Sequence, residues 1–357
     1  MRSPYLNIAL WSFFCLFFSR PSHQTSPPLP NPRLLNAYIA LQAWKHEIQS
    51  DPKNFTSNWC GPNVCDFTGV YCAPAPDDPH IATVAGIDLN HADIAGSLPE
   101  ELGLLTDLAL FHINSNSFTG TIPGSFQNLH LLYELDVSNN RFTGQFPCVI
   151  LCLPSLRYLD IRYNDFEGSV PDRLFDMKLD AIFLNNNRFR FTIPRNIDNS
   201  PVSVLVLANN DINCCLPSSL AKMGGTLNEI ILMNTGLTGC LPPEIGLLKN
   251  LTVFDVSFNK LVGPLPETMG KMKSLEQLNV AHNKLSGYIP ASICSLPNLD
   301  NFTYSYNYLC GEPPSCLELL GKDDRKNCIP GRPLQRSAEE CASFLAHPVN
   351  CDAFACS

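Results

Sequence analysis

From Val84 onward, apolar residues fall in a fixed frame, L-x-x-L-x-L, followed by x-x-N-x-L-x-G-x-I-P. The clearest copies begin at Leu108 (LALFHINSNSFTGTIP), Leu132 (LYELDVSNNRFTGQFP), Leu156 (LRYLDIRYNDFEGSVP), Leu251 (LTVFDVSFNKLVGPLP) and Leu275 (LEQLNVAHNKLSGYIP). The Asn position falls at Ala92, Asn116, Asn140, Asn164, Asn187, Asn210, Thr235, Asn259, Asn283 and Asn307, in steps of 23 to 25 residues. The alternating leucines predict a short strand whose leucines point inward while the residues between them face out. One such unit cannot bury its own apolar face, so units must stack and share a continuous core. The Asn amide can bond neighbouring backbone groups otherwise left unpaired inside the coil. The G-x-I-P segment turns the chain away from the strand, because Gly tolerates φ > 0 and Pro cannot donate to a ladder.

A period of this length with this leucine pattern is the signature of a leucine-rich-repeat solenoid. The fold class expected is therefore an α/β solenoid of about ten plant-type units with disulfide-bonded caps. Stacking at the inter-strand spacing gives a rod about 45 Å long. Four positions break the frame: Phe191 and Cys214 replace Gly in units five and six, while Ala92 and Thr235 replace Asn in units one and seven. Ahead of the repeats, Asn36–Ile48 has helical periodicity through Tyr38, Leu41, Trp44 and Ile48, and ends before Asp51-Pro52.

The ends carry the remaining organisation. Arg2 precedes the apolar stretch Leu6–Phe18, which is short for a membrane span and breaks at Ser19-Arg20-Pro21. Residues 1–24 read as a signal peptide, 25–32 as a Pro-rich linker without order, 33–82 as an N-terminal cap, 83–314 as repeats and 315–357 as a Cys-rich tail. Sixteen cysteines in 357 residues indicate an oxidising, extracellular compartment. Three N-x-S/T sequons, at Asn54, Asn250 and Asn301, suit secretion. A net charge of −9 without a basic block argues against nucleic acid and permits a cationic partner.

Cysteine register suggests pairings. Cys215 and Cys240 both precede Leu-Pro in consecutive units, and stacking would bring their Cα atoms to about 5 Å, within disulfide range. Cys65–Cys72 is expected in the N-terminal cap. Cys310–Cys316 is a candidate C-terminal staple, for which Cys294 competes. Removal of Cys15 with the signal leaves an odd number, with Cys60, Cys148, Cys152 and Cys214 as candidates for the unpaired thiol.

The outward residues of the strands form the default binding surface of a repeat rod. One column runs Asp88, His112, Asp136, Asp160, Phe183, Val206, Ile231, Asp255, Asn279, Thr303, and the next starts Asn90, Asn114, Ser138, Arg162, Asn185. Units three to five should gather Glu134, Asp136, Tyr158, Asp160, Tyr163 and Phe183. Together with Asp88, His112, Arg162 and Asn185 these are the candidate peptide-binding residues, acidic groups beside aromatics suiting a cationic peptide. Val206, Ala208, Ile231 and Met233 form a second, apolar candidate patch. A competing reading gives the column's aspartates a structural task, bonding adjacent strand residues. No phosphate loop, nucleophile motif or metal-ligand spacing occurs, so neither catalysis, cofactor nor metal is expected.

Several stretches carry a more specific resemblance: DPKNFTSNWCGPNVCDFTGVYCAPAPDDPH, RYNDFEGSVPDRLFDMKLDAIFLNNNRFRFTIP, NSPVSVLVLANN and NCIPGRPLQRSAEECASFLAHPVNCDAF. Over about residues 33–357 the chain resembles the plant leucine-rich-repeat extensin family. The resemblance implies a secreted cell-wall protein whose repeats bind rapid-alkalinisation-factor (RALF) peptides, small, basic and cysteine-containing, and which influences wall assembly and cell shape. It also implies homodimers, with wall polysaccharide a further candidate partner. Because the sequence stops at Ser357 without a Ser-Pro-rich extensin module, a soluble apoplastic relative is expected rather than a covalently anchored one. Two other classes remain open at this point: a defence protein inhibiting a microbial wall-degrading enzyme, and a structural module joined through disulfides.

Overall fold

The structure, a computed structural model, describes residues 31–351. The signal-peptide reading for residues 1–24 lies outside these. The chain winds into a right-through stack whose inner side is one twelve-stranded sheet in sequence order. Its strands are β1 (Val70–Ala75), β2 (Asp78–Asp88), β3 (Leu110–His112), β4 (Glu134–Asp136), β5 (Tyr158–Asp160), β6 (Ala181–Phe183), β7 (Val204–Val206), β8 (Glu229–Ile231), β9 (Val253–Asp255), β10 (Gln277–Asn279), β11 (Asn301–Thr303) and β12 (Gly321–Asp323). β1 and β2 form an antiparallel cap, and every later pair is parallel. The register aligns Asp88, His112, Asp136, Asp160, Phe183, Val206, Ile231, Asp255, Asn279 and Thr303 in one column, as the repeat frame requires. Behind it Leu108, Leu135, Leu159, Leu184 and Leu278 share one continuous core.

The frame asparagines lock each coil to the one before. Asn164 accepts at Oδ1 from the Phe142 amide (2.9 Å) and donates from Nδ2 to the Val137 and Ile161 carbonyls (3.0 and 3.2 Å). The same triad of bonds recurs at Asn327, which accepts from Leu309 and donates to Tyr304 and Asp324. The repeats therefore extend one unit beyond residue 314: β12 and Asn327 form an eleventh, abbreviated coil. Its signal is Asp323-x-Arg325-Lys326-Asn327, in the same spacing as Asp160-x-Arg162-Tyr163-Asn164.

The far side of most coils is a 3₁₀ segment, as at Asp172–Asp176, and becomes a single α-helical turn only at Ala291–Cys294 and Pro314–Leu317, so long helices are confined to the caps. A second set of strands, not expected from the G-x-I-P segment, runs beside it. Its first sheet pairs Ile48–Ser50 with Ala95–Gly96, Ser117–Gly120, Arg141–Gln145, Asp165–Gly168 and Arg188–Phe189; its second pairs Thr238–Gly239, Lys260–Gly263, Lys284–Tyr288 and Tyr308–Gly311. The repeat Gly is the last or last but one residue of these strands, with φ of +76° to +90° at Gly120, Gly144, Gly168, Gly239, Gly263 and Gly287. The two sheets are separated at unit six: Phe191 in unit five and Cys214 in unit six stand in place of that Gly.

Helix α1 (Pro32–Glu47) starts earlier than its apolar spacing suggested, and residues 31–32, read from the sequence as linker, are its cap and first residue. Asn31 caps it by accepting from the Leu34 amide, and Pro32 at the first position already has the helical φ. The helix buries Leu34, Ala37, Ala40, Leu41 and Trp44, with Tyr38 only partly covered. Trp44 meets Trp59, Phe111 and Phe118 at centroid distances of 5.6–5.8 Å, sealing the open end of the first coils.

Disulfides depart from the expected map in two places. Cys65–Cys72 forms as expected. Cys240 pairs with Cys351, not Cys215, and Cys215 is bonded elsewhere. Equal register is not enough: a Cβ on Gly263 would lie 2.7 Å from the Cys240 sulfur, so that sulfur points toward unit eight and away from unit six. Cys316 pairs with Cys294, not Cys310. Those two lie in the short helices Ala291–Cys294 and Pro314–Leu317 of consecutive coils, with Cα atoms 4.9 Å apart, whereas Cys310 lies in a strand and is unpaired. Cys60, Cys148, Cys152 and Cys214 are also unpaired, the first three exposed. Helix α2 (Ala338–Leu345) is tied by Cys328–Cys341, stacks Phe344 on Tyr308 at 3.6 Å, and leads the tail back to unit seven through Cys351.

Candidate functional site

The alternation of β3 to β6 aims one residue in two away from the core, and in units two to five these residues form a connected group. His112 Nε2 lies 3.0 Å from Glu134 Oε2 across adjacent strands. Tyr158 and Phe183 meet at 5.5 Å, and the Arg162 guanidinium lies 4.9 Å over the Phe183 ring. Arg162 also pairs with Asp160, Nε to Oδ2 at 3.0 Å. Eight of the ten candidate residues, His112, Glu134, Asp136, Tyr158, Asp160, Arg162, Phe183 and Asn185, therefore lie in one neighbourhood. Asp88 stands in the same column at its cap end, bonded to the Asn90 amide. Tyr163 is not on this face. The chain leaves the extended conformation after Arg162, and Tyr163 adopts φ 51° on the rim.

The aspartates of the column do have a structural task. Asp88, Asp136, Asp160, Asp255 and Asp323 each accept from the backbone amide two residues on, closing the strand end. Asp160 is fully buried and so is removed from direct contact with a guest. Burial, with the Asp136 charge beside it, pushes its carboxyl up to about 7 against the opposing pull of Arg162. Burial also raises the Tyr158 phenol to about 12, with the Asp160 and Asp136 charges adding to it. Asp136 gives Oδ1 to the Ser138 amide and hydroxyl and leaves Oδ2 free of protein partners among the described residues. Glu134 is one-third exposed. These two carboxylates, not Asp160, carry the accessible negative charge.

Asn185 differs from its neighbours. It is 7% exposed and its Oδ1 has no hydrogen-bond partner in the structure. A buried acceptor left unmade costs about 1–3 kcal/mol, a cost that a donor reaching it would relieve. The sequence placed Asn185 among the outward positions but could not show that its Oδ1, like a few other buried polar atoms among the described residues, has no partner. The second candidate patch is weaker than expected, because Val206 and Ala208 are buried and only Ile231 and Met233 are partly exposed. Of the sequon residues, Asn54 and Asn250 are exposed on loops, and Asn301 is exposed at the C-terminal end of the inner sheet. Among the described residues no His/Cys/Asp/Glu group could hold a metal ion, and no helix is long and apolar enough to cross a membrane.

Comparison with known proteins fits this geometry. The leucine rich repeat family profile matches residues 106–166 and 248–309, and the leucine rich repeat N-terminal domain profile matches 37–73. The leucine-rich repeat extensin-like protein 6 of Arabidopsis thaliana is 74% identical over 337 residues, covering 94% of this chain and 72% of that protein. The chain belongs to the leucine-rich repeat extensin-like family. Within that family, the Arabidopsis leucine-rich repeat extensin-like protein 2 is 63% identical over 92% of this chain and 42% of its own length. The solved ectodomain of the Arabidopsis receptor kinase HAESA, in complex with an extended IDA peptide hormone, shares the fold. Its TM-score is 0.66 at 26% identity, covering 83% of this chain and 54% of that one. In an extensin-like chain, then, the repeats place a polar and aromatic strip on the same kind of inner sheet.

Proposed function

We propose that this protein acts outside the cell, in the apoplast or wall, by binding a small basic, cysteine-containing peptide of the RALF type on the inner face of units three to five. Through that binding it modulates wall assembly and cell shape. The observation that carries the reading is the Asn185 acceptor, buried and unpaired just past the strand that holds Phe183 of the Tyr158–Phe183 ring pair, with the accessible carboxylates of Glu134 and Asp136 two strands away in the same sheet. A cationic guest would bring the missing donor, meet two carboxylates and cover the rings, a combination of anchor and steering that peptide interfaces use. The fold shared with a hormone-bound ectodomain supports a peptide as the occupant. A glycan on Asn301 would stand at the C-terminal end of the strip and confine the guest to earlier units.

Titration calorimetry of the secreted chain with basic cysteine-bridged peptides tests this. Glu134→Lys/Asp136→Lys should weaken binding at least tenfold, while Glu267→Lys on the far side leaves it unchanged. Wild-type affinity in the double variant would refute the assignment. For a disulfide-linked dimer, the exposed thiols of Cys60, Cys148 and Cys152 are better placed than the tail, where Cys328, Cys341 and Cys351 are already paired. A dimer band on a non-reducing gel that persists in the Cys60→Ser/Cys148→Ser/Cys152→Ser variant would contradict this.

A further inference from the structure

Three cysteines meet where the tail crosses the last coils, and only two of them are bonded. Cys328 pairs with Cys341, Cα atoms 5.8 Å apart, and Cys310 is unpaired. Cys310 is the extra residue of a bulge in the strand Tyr308–Gly311. Leu309 stands opposite Gly287 and Gly311 opposite Tyr288, so Cys310 has no strand partner in the coil before. It has one in the coil after. The Cys328 amide donates to the Leu309 carbonyl at 2.8 Å. The equivalent bond of a regular coil, from Lys260 to the Leu237 carbonyl, sets Lys260 opposite Thr238. The same register sets Cys328 opposite Cys310. Strands so paired hold their Cα atoms about 5 Å apart, inside the range a disulfide spans.

Equal register does not join Cys215 to Cys240 because their side chains diverge, but here direction agrees. Burial alternates along the strand, with Leu309 and Gly311 buried and Tyr308 and Cys310 partly exposed. Tyr308 faces the tail: Phe344 stacks on its ring at 3.6 Å and the Arg336 guanidinium lies 4.2 Å over it. Cys328 faces the tail too, since its partner Cys341 is on α2. All three sulfurs therefore lie on the side that α2 covers. The helix itself is lightly seated. It has eight residues, none of them buried, and a helix of that length is unstable on its own in water. The Phe344–Tyr308 stack and the Cys328–Cys341 bond are its main ties to the coils.

We propose that Cys310 is an internal exchange thiol, which moves the tail disulfide from Cys328–Cys341 to Cys310–Cys328 and so releases α2. The Cys310 thiolate attacks Cys328 Sγ, and the Cys310–Cys328 bond forms as the Cys328–Cys341 bond breaks. The electron pair leaves on the Cys341 sulfur, which takes up the proton that Cys310 gave up. One thiol and one disulfide exist before and after, so no outside oxidant or reductant is consumed. The Cys341 sulfur lies 4.0 Å from the Asn327 carbonyl oxygen, an acceptor for its new S–H until the helix departs. The tail stays joined at Cys351, and residues 329–350 become a loop closed at both ends. Lifting α2 opens a cavity of about 480 Å³ lined by Val262, Tyr308, Phe344 and Val349, and bares apolar surface on the second side. Because only a thiolate attacks, the shift speeds up as pH rises. It uses no residue of the inner face and stands or falls independently of peptide binding.

The test is disulfide mapping of the full secreted chain after incubation at pH 6 and pH 8.5, with thiols trapped by a maleimide in acid. Tryptic peptides 285–322, 327–336 and 337–357 carry Cys310, Cys328 and Cys341 separately. The expected result is a linked pair of 285–322 with 327–336 that grows with time at pH 8.5. Label should move from Cys310 to Cys341 in at least a tenth of the molecules. Amide hydrogen exchange across 338–345 should be several-fold faster than in Cys310→Ser, which cannot make the shift. Cys341→Ala should close a Cys310–Cys328 bond under oxidised glutathione, which checks the reach of the two sulfurs directly. Label that stays on Cys310 alone, or Cys310 bonded to any other cysteine of the same or a second chain, would overturn the proposal. So would equal exchange across 338–345 in parent and Cys310→Ser, or no Cys310–Cys328 bond in Cys341→Ala.

Discussion

Asn164 shows how much one polar side chain carries in this fold. Replacing it by Ala would strand the Phe142 amide and take a donor from two buried carbonyls. We expect a loss of about 2–4 kcal/mol, seen as a lower urea midpoint, since each buried group left unpaired costs about 1–3 kcal/mol. Asp160 acts in the opposite sense. Its folded carboxyl is raised to about 7, above the ordinary value of 3.8. Native and unfolded states are equally protonated below that ordinary value. As pH rises from there toward 7, the unfolded state releases its proton first, so stability falls across this window and is flat above it. Asp160→Asn should remove this decline and raise stability at pH 8.5 by roughly 1–2 kcal/mol. Thermal melts of both proteins from pH 4 to 9 check it: a parallel pH dependence in the two would contradict the assignment.

At the scale of elements, the strand register was readable to the residue because a shift by one position would turn every leucine out of the core. The column from Asp88 to Thr303 needed only the period. Side-chain direction at the turns is not encoded by period, and so Cys215 and Cys240 share a register without sharing a bond. Where stacked segments do face each other, in the short helices that hold Cys294 and Cys316, a bond forms, although the sequence put Cys310 forward as the partner of Cys316 and Cys294 only as its competitor. The eleventh coil was missed because its leucines are sparse, although Asp323, Arg325 and Asn327 kept the polar half of the frame. The tail's return could not be read at all, since the contact of Cys351 with Cys240 spans 111 residues. Cys351→Ser should free the segment after α2, lower stability by about 2–4 kcal/mol and speed its cleavage in limited proteolysis. Unchanged melting and cleavage would show that the strap is held without the bond. Gly263→Val should behave similarly, because its side chain would run into both sulfurs of that disulfide.

Across the whole molecule, the two sides of the coil have separate characters. The inner sheet presents Glu134, Asp136 and the unpaired Asn185 beside aromatic rings, and the second side carries the tail, with α2 held against Tyr308 by the Cys328–Cys341 bond and the Phe344 ring. The location of the inner strip was legible in the sequence, because outward positions follow from the period. Its electrostatics were not. Sequence alone counts Asp160 as a surface charge, whereas burial and the Arg162 pair remove it from contact. Accessible charge on the strip rests with two carboxylates, so a basic guest should shield those two before any others. Carboxyl footprinting by carbodiimide coupling, with and without a basic cysteine-bridged peptide, reads this directly. Peptide-dependent protection of Glu134 and Asp136, with Glu267 and Asp300 labelled equally in both states, is the result expected. Protection confined to other carboxylates, or none at saturating peptide, would contradict the inner-face account.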